Sequence, residues 1–168
     1  QDEIDRRKQN RRILRIKKAN LGRYKSITEF DFDFNPNINR LQIKKFITCD
    51  FIKQNQNIFF EGPTGVGKTC LSKAIGYEAC NRGYDVYFDR TVKMLDGIYA
   101  GNADNTFYKR LQKYIKPQLL ILDDWGMQTF ENHKLNILNE LITERSECSS
   151  TIITTNRPVN KWGELFDE

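Results

Sequence analysis

The chain has 168 residues, 39% of them hydrophobic and 29% charged, with eleven Phe and seven Tyr; this suffices for one compact domain with an apolar core, leaves little room for a second, and excludes a disordered polar chain. No apolar stretch approaches the roughly 18 residues of a membrane span, and the first residues carry Asp, Glu and Arg where a secretory signal requires an apolar run, so a soluble, cytoplasmic protein without a membrane partner is expected. The net charge of +5 is unevenly placed: residues 1 to 25 hold ten basic groups against three acids, a balance of +7, which leaves −2 for residues 26 to 168.

Residues 2 to 20 contain no Gly or Pro, but Ile4, Ile13, Leu14 and Ile16 make only a thin apolar stripe. A helix with so little to bury is marginal alone, and residues 1 to 25 are expected to form a basic helical arm ahead of a domain over 26 to 168. Residues 22 to 38 hold Gly22, Pro36 and several Asn and Asp, with Phe30, Phe32 and Phe34 alternating with acids. That is the pattern of an extended connector pinning aromatic rings onto the domain. Asn39 and Gln42 form a capping pair, after which Ile43, Phe46, Ile47 and Phe51 predict one helix over about 40 to 53.

From Ile58 strands and helices alternate. Ile58, Phe59 and Phe60 form a short apolar run ending in Gly62, and Leu71, Ala74, Ile75 and Ala79 mark one face of a helix that stops at Gly83. Val86, Tyr87 and Phe88 read as a second strand, followed by helical patterns near 91 to 100 and 104 to 115, the latter ended by Pro117. Leu119, Leu120, Ile121 and Leu122 are apolar on both faces, as a central parallel strand requires. Leu135, Leu138, Leu141 and Ile142 predict a further helix, and Thr151 to Thr155 a fourth strand. The expected fold class is α/β, a three-layer α/β/α arrangement with a parallel sheet and right-handed crossovers, its ligand at the carboxyl ends of the strands. Cys49, Cys70, Cys80 and Cys148 are too scattered for a zinc site, which His133 cannot complete, and read as free thiols.

Gly62-Pro63-Thr64-Gly65-Val66-Gly67-Lys68-Thr69 is a complete G-x-x-x-x-G-K-T placed between a strand and a helix. Its glycines let backbone N–H groups wrap a phosphate at a helix N-terminus. Lys68 is expected to reach the β and γ phosphates of ATP and Thr69 to ligate Mg2+; the nucleotide-contacting set runs from Gly62 through Thr69 to Cys70. The strand 119 to 122 delivers Asp123 and Asp124 to the sheet edge, a Walker-B arrangement in which Asp123 completes the magnesium shell and Asp124 polarises the attacking water. Glu is more usual at the second position, so hydrolysis is expected to be slow. If the strand 151 to 155 lies between the first and third, Asn156 stands near the γ-phosphate, although Asn156-Arg157-Pro158 is also an ordinary strand exit. Trp125 and Trp162 each follow a strand-end loop and read as packing anchors rather than base-stacking platforms. The sequence does not place Arg145 or Arg157 relative to a nucleotide.

The runs GPTGVGKTCLSKAIGYEACNRGYDVYF, LLILDDWG and STIITTNRPVNKWGELF resemble the IstB-type ATP-binding proteins of insertion sequences, relatives of the DnaC helicase loaders within the AAA+ ATPases. The resemblance implies a P-loop fold of AAA+ type with that family's sheet order, Asn156 at the sensor-1 position, and a homo-oligomer that assembles on duplex DNA with ATP and assists a partner transposase. The family pattern continues with a fifth strand, an arginine finger and a helical lid, which this sequence does not reach. ATP binding with weak hydrolysis is therefore expected of the chain as it stands. The basic arm, with Arg6, Arg7, Arg11, Arg12, Arg15, Lys17 and Lys18, is expected to grip DNA phosphates without reading sequence; a solvated helix or a protein-docking site explains the same charges. Competing readings are a DnaC-type helicase loader acting on a replicative helicase, a small-molecule kinase, and a nucleotide-binding scaffold with little catalysis.

Overall fold

In the computed structural model, which describes residues 2–24, 26–33 and 35–165, four apolar runs pair into one parallel sheet. The strands are β1 (Ile58–Glu61), β2 (Val86–Arg90), β3 (Leu119–Trp125) and β4 (Ser150–Thr155), in the order β1-β4-β3-β2. The fourth strand thus lies between the first and third, which brings the ends of β1, β4 and β3 side by side. Side chains alternate across a strand, and β3 shows the result. Leu119 and Ile121 face a core shared with Ile58, Val86 and Ile152, under helix α4 (Lys68–Asn81); Leu120 and Leu122 face a second core under α5 (Thr91–Tyr99), α6 (Phe107–Ile115) and α7 (Asn132–Arg145). Helices therefore cover both faces, giving the three expected layers. At Gly76 of α4 a Cβ would lie 2.7 Å from Ile121, so the glycine is what lets the helix sit this close to β3.

Helix α1 (Asp2–Lys18) keeps most of its thin apolar stripe in solvent: Ile4, Ile13 and Leu14 are more than half exposed, and only Ile16 packs against the core. The chain after the helix does the anchoring. Ala19 and Leu21 are buried, the Phe88 N–H donates to Ala19 O at 2.9 Å, and Asn20 Nδ2 donates to Phe88 O at 2.9 Å. These bonds satisfy the Phe88 N–H and C=O on the outer edge of β2, which would otherwise be open to pairing. In the connector Phe30 meets Phe32 edge to face, with ring centroids 4.9 Å apart; Phe34 lies outside the described residues.

The single helix expected over 40 to 53 is two. Helix α2 (Arg40–Ile47) is capped by Asn39 accepting from the Gln42 N–H; Cys49, with a left-handed φ of 61°, breaks the path, and a short α3 (Asp50–Lys53) follows. The Thr48 hydroxyl lies 2.8 Å from Lys45 O and 2.9 Å from the Asp50 carboxylate, either of which can accept its proton at the break between the helices. The turn drops Cys49, Phe51 and Ile52 into the core under α4. Helix α6 starts at Phe107 rather than 104, because Asp104 caps the Thr106 N–H and hydroxyl. Trp125 and Trp162 pack as anchors: their ring centroids lie 5.5 Å apart, and Trp125 also meets Phe130 at 5.4 Å.

Candidate nucleotide-binding site

The loop between β1 and α4 takes its shape from glycine. Gly65 and Gly67 have φ of 86° and 97°, a conformation open to glycine without strain and one that turns successive N–H groups toward a shared concavity. Gly67 is also the N-cap of α4 and brings no side-chain acceptor, so the first N–H groups of this 14-residue helix remain available to an anion. Phe30 closes the outer side, since a Cβ at Gly67 would lie 3.2 Å from its ring. Lys68 Nζ donates to Gly62 O and Pro63 O, both at 2.7 Å, so its cation rests over the loop. Burial lowers the Lys68 pKa, and the Asp124 and Asp123 carboxylates oppose the shift. Between the loop and α2 opens a cavity of about 810 Å3, lined by Ile38, Gln42, Phe46 and Lys68 among others, a volume that admits a nucleoside.

The acids of β3 reach this loop through a bulge. Leu122 pairs with Ile153 and Trp125 with Thr155, so Asp123 and Asp124 together oppose the single residue Thr154. Asp124 absorbs the extra length with a left-handed φ of 57°. Asp123 continues the alternation that points Leu119 and Ile121 toward α4. The inserted residue then reverses parity, and Trp125 lands in the opposite core. The buried Asp123 carboxylate accepts from Thr69 Oγ1 at 2.8 Å and from Thr154 Oγ1 at 2.5 Å. Thr154 Oγ1 also accepts from the Asp124 N–H at 3.1 Å.

Asp124 is half-exposed, with Arg90 Nε 3.9 Å from its Oδ2. Burial, then the neighbouring Asp123 charge, raises its pKa above the ordinary carboxylate value, while Arg90 and Lys68 pull it down. Lys68, Thr69, Asp123 and Asp124 thus converge as their motifs predict. Asn156 follows directly on β4, between the ends of β1 and β3, with its side chain exposed. Thr154 and Arg90 escape the motif reading, although two hydroxyl residues ending an apolar strand, Thr154 and Thr155, are a legible signal.

The basic residues of α1 divide into two groups. Arg6, Arg7, Arg11, Lys17 and Lys18 are exposed, and Arg7 pairs with Glu3. Arg12 and Arg15 are half-buried: Arg12 donates to Asn81 Oδ1 at 2.7 Å and to the Tyr77 hydroxyl at 3.3 Å, and Arg15 lies 3.7 Å from Asp85. These two tie the helix to the domain. Arg145 has a structural role as well. Only 4% exposed, it donates to the carbonyls of Tyr114, Ile115 and Pro117 at 2.7 to 3.0 Å and to Ser150 O, and burial lowers its pKa to about 10. Arg157 faces Glu164 at 3.4 Å.

The family model for the IstB-like ATP binding proteins matches residues 1–168. The chain belongs to the IstB-like ATP-binding family. Among the relatives of this IstB-like chain, the insertion sequence IS232 ATP-binding protein of Bacillus thuringiensis subsp. berliner is 37% identical over 99% of the chain. The chain spans 66% of that relative's length. Among solved structures, the DnaC helicase loader superposes with a TM-score of 0.67 at 26% identity, covering 90% of this chain and 86% of that one. DnaI gives a TM-score of 0.73 at 22% identity, covering 86% and 78%. The IstB-like chain therefore has the P-loop fold of AAA+ type, and its loop is that of an ATP-binding family.

Proposed function

We propose that this protein binds ATP with Mg2+ at the loop site, assembles on duplex DNA as a homo-oligomer when ATP is present, and assists a partner transposase in the cytoplasm. The observation that carries the nucleotide half is the Thr69–Asp123 hydrogen bond, which joins a hydroxyl from the loop helix and a carboxylate from β3 beside Lys68. Oxygen donors of this kind suit a hard cation, and Lys68 with the uncapped start of α4 suits phosphates. When bound, Mg2+ neutralises charge that develops on the transferred phosphate. In this reading Asp124 takes a proton from water and Asn156 orients that water. Turnover by the chain alone is slow in this reading. Asp124 is a methylene shorter than Glu, while Arg145 is bound to backbone carbonyls and cannot serve a neighbour's phosphates. The insertion-sequence relative supports the transposase half.

Electron microscopy with duplex DNA and a non-hydrolysable ATP analogue tests the reading, with Lys68→Ala as the comparison. Nucleotide-dependent rings or filaments that disappear in the variant are expected; particles indistinguishable with and without nucleotide would refute it. A second reading, a helicase loader in replication, is favoured by the likeness to DnaC. Co-purification with a replicative helicase rather than a transposase would select it.

A further inference from the structure

At the end of the sheet opposite the phosphate loop, the start of β2 floors an open groove of about 370 Å3 between the last turn of α1 and α6. Its charged lining is Arg15, Lys18, Lys109, Lys113 and Lys116 against Asp85 alone. Lys109, Lys113 and Lys116 recur at i, i+4 and i+7, so they form one stripe running along α6 onto its C-cap residue, on the side away from the buried Leu111 and Tyr114. Arg11, Arg15 and Lys18 repeat the same spacing on α1. Like charges at this spacing repel, and the fold does little to offset them. The side chains of Lys18, Lys109 and Lys116 make no hydrogen bond or ion pair among the described residues. Asp85 is three-quarters exposed where it faces Arg15, a weak pair. The Lys113 ammonium lies 4.6 Å from the centroid of the Tyr87 ring, which keeps its charge in the groove.

We infer that this groove is the protein's duplex-DNA track, with phosphates drawn between α1 and α6; the inference rests on the DNA-binding part of the proposed function and gives it a surface. Three features favour a duplex backbone. The cations come from two elements along an open trough with no buried polar group to cage a small anion. Tyr87, the aromatic ring lining the groove, is covered by Lys113 and packed edge to face on Tyr114, which leaves no platform for the stacked bases that single strands require. Lys109, Lys113 and Lys116 concentrate positive charge on a region, residues 26 to 168, that sums to −2.

The test compares two triple variants of the full chain with equal net charge: Lys109→Gln/Lys113→Gln/Lys116→Gln in the groove, and Lys44→Gln/Lys45→Gln/Lys161→Gln elsewhere. Duplex affinity is measured as a function of salt, and ATP-analogue binding reports that each variant is folded. Three lost phosphate contacts reduce the slope of log K against log salt by about 2.7, so the groove triple is expected to show that change and the other triple none. Equal loss in both triples, or a wild-type slope in the groove triple, overturns the inference while leaving DNA binding itself in place. Absence of salt-dependent duplex binding by the wild type overturns the DNA reading as well. Groove-dependent binding of polyglutamate with unchanged duplex affinity would assign the surface to an acidic protein instead.

Discussion

Replacing Thr154 by Val removes one hydroxyl at the point where β3 and β4 lose register, and the consequences are calculable. Thr154 is 1% exposed, donates to Asp123 Oδ1 at 2.5 Å and accepts from the Asp124 N–H at 3.1 Å. A hydrogen bond to a charged acceptor contributes about 1.5–3 kcal/mol, and the part-buried Asp124 N–H, which water can reach in place of its acceptor, adds about 1 kcal/mol at most. Val is close to Thr in volume, so no cavity adds to these terms, and a stability loss of about 2–4 kcal/mol is expected. The functional effect is more specific. Asp123 keeps Thr69 as a partner but loses the second donor that fixes its rotation, so its oxygen is no longer held for a cation.

The assay is the affinity for an ATP analogue with and without Mg2+, at a temperature where circular dichroism shows the variant folded. Thr154→Val is expected to reduce the gain in affinity provided by Mg2+ about tenfold, equivalent to about 1.4 kcal/mol, with the Mg2+-free affinity unchanged. Thr154→Ser, which retains the hydroxyl, is expected to restore most of the gain. A Thr154→Val protein with the wild-type ratio of the two affinities would refute a positioning role and reduce the bulge to a packing feature.

Three further outcomes follow from the same geometry. Arg145→Met strips the donors from the carbonyls of Tyr114, Ile115, Pro117 and Ser150 and is expected to destabilise the fold by about 3–5 kcal/mol; thermal melting checks it, and Arg145→Lys should fall between. Asp124 must be ionised to act as a base, and its pKa is raised by burial and by Asp123 but held down by Arg90, so ATP hydrolysis should fail on acidification above the ordinary carboxylate range of about 3.9. Arg90→Gln removes a lowering influence and should move that acid limb to higher pH, as pH–rate profiles of the two proteins would show. Alkylation followed by mass spectrometry should modify the exposed Cys148 well before Cys49 and Cys80, which are buried and whose thiols are raised to about 11 and about 12.

The parts of the site that local chemistry determines are readable from the sequence. The loop needs glycine where φ is positive, a lysine and a hydroxyl at the helix start, and an apolar strand ending in acids, and each requirement is met within a few consecutive residues. The bulge is different. It is a difference in count between two strands 30 residues apart, and nothing within Leu-Asp-Asp-Trp announces that one residue will be unpaired. The position of Arg145 is hidden for a related reason, since its carbonyl partners come from the end of α6 and the start of β4. The division of α1 into anchoring and free cations was equally hidden. It depends on Tyr77, Asn81 and Asp85, which approach only once α4 and β2 are in place.

Helix α4 links the two surfaces to which binding is assigned. Its first residues form the phosphate cradle, and Tyr77 and Asn81, near its far end, receive Arg12 from the basic helix. Fourteen residues at 1.5 Å per residue separate those ends by about 21 Å. The proposed nucleotide and DNA surfaces therefore do not overlap, and on this proposal neither ligand should compete with the other for a single protomer. Any dependence of DNA assembly on ATP must then act between protomers or through a rigid shift of α4 against α1. The two routes differ in their concentration dependence. If ATP acts between protomers, its effect on DNA affinity vanishes at protein concentrations too low for assembly; if it acts through α4, the effect persists there, and Arg12→Gln, which frees α1 from the end of α4, abolishes it.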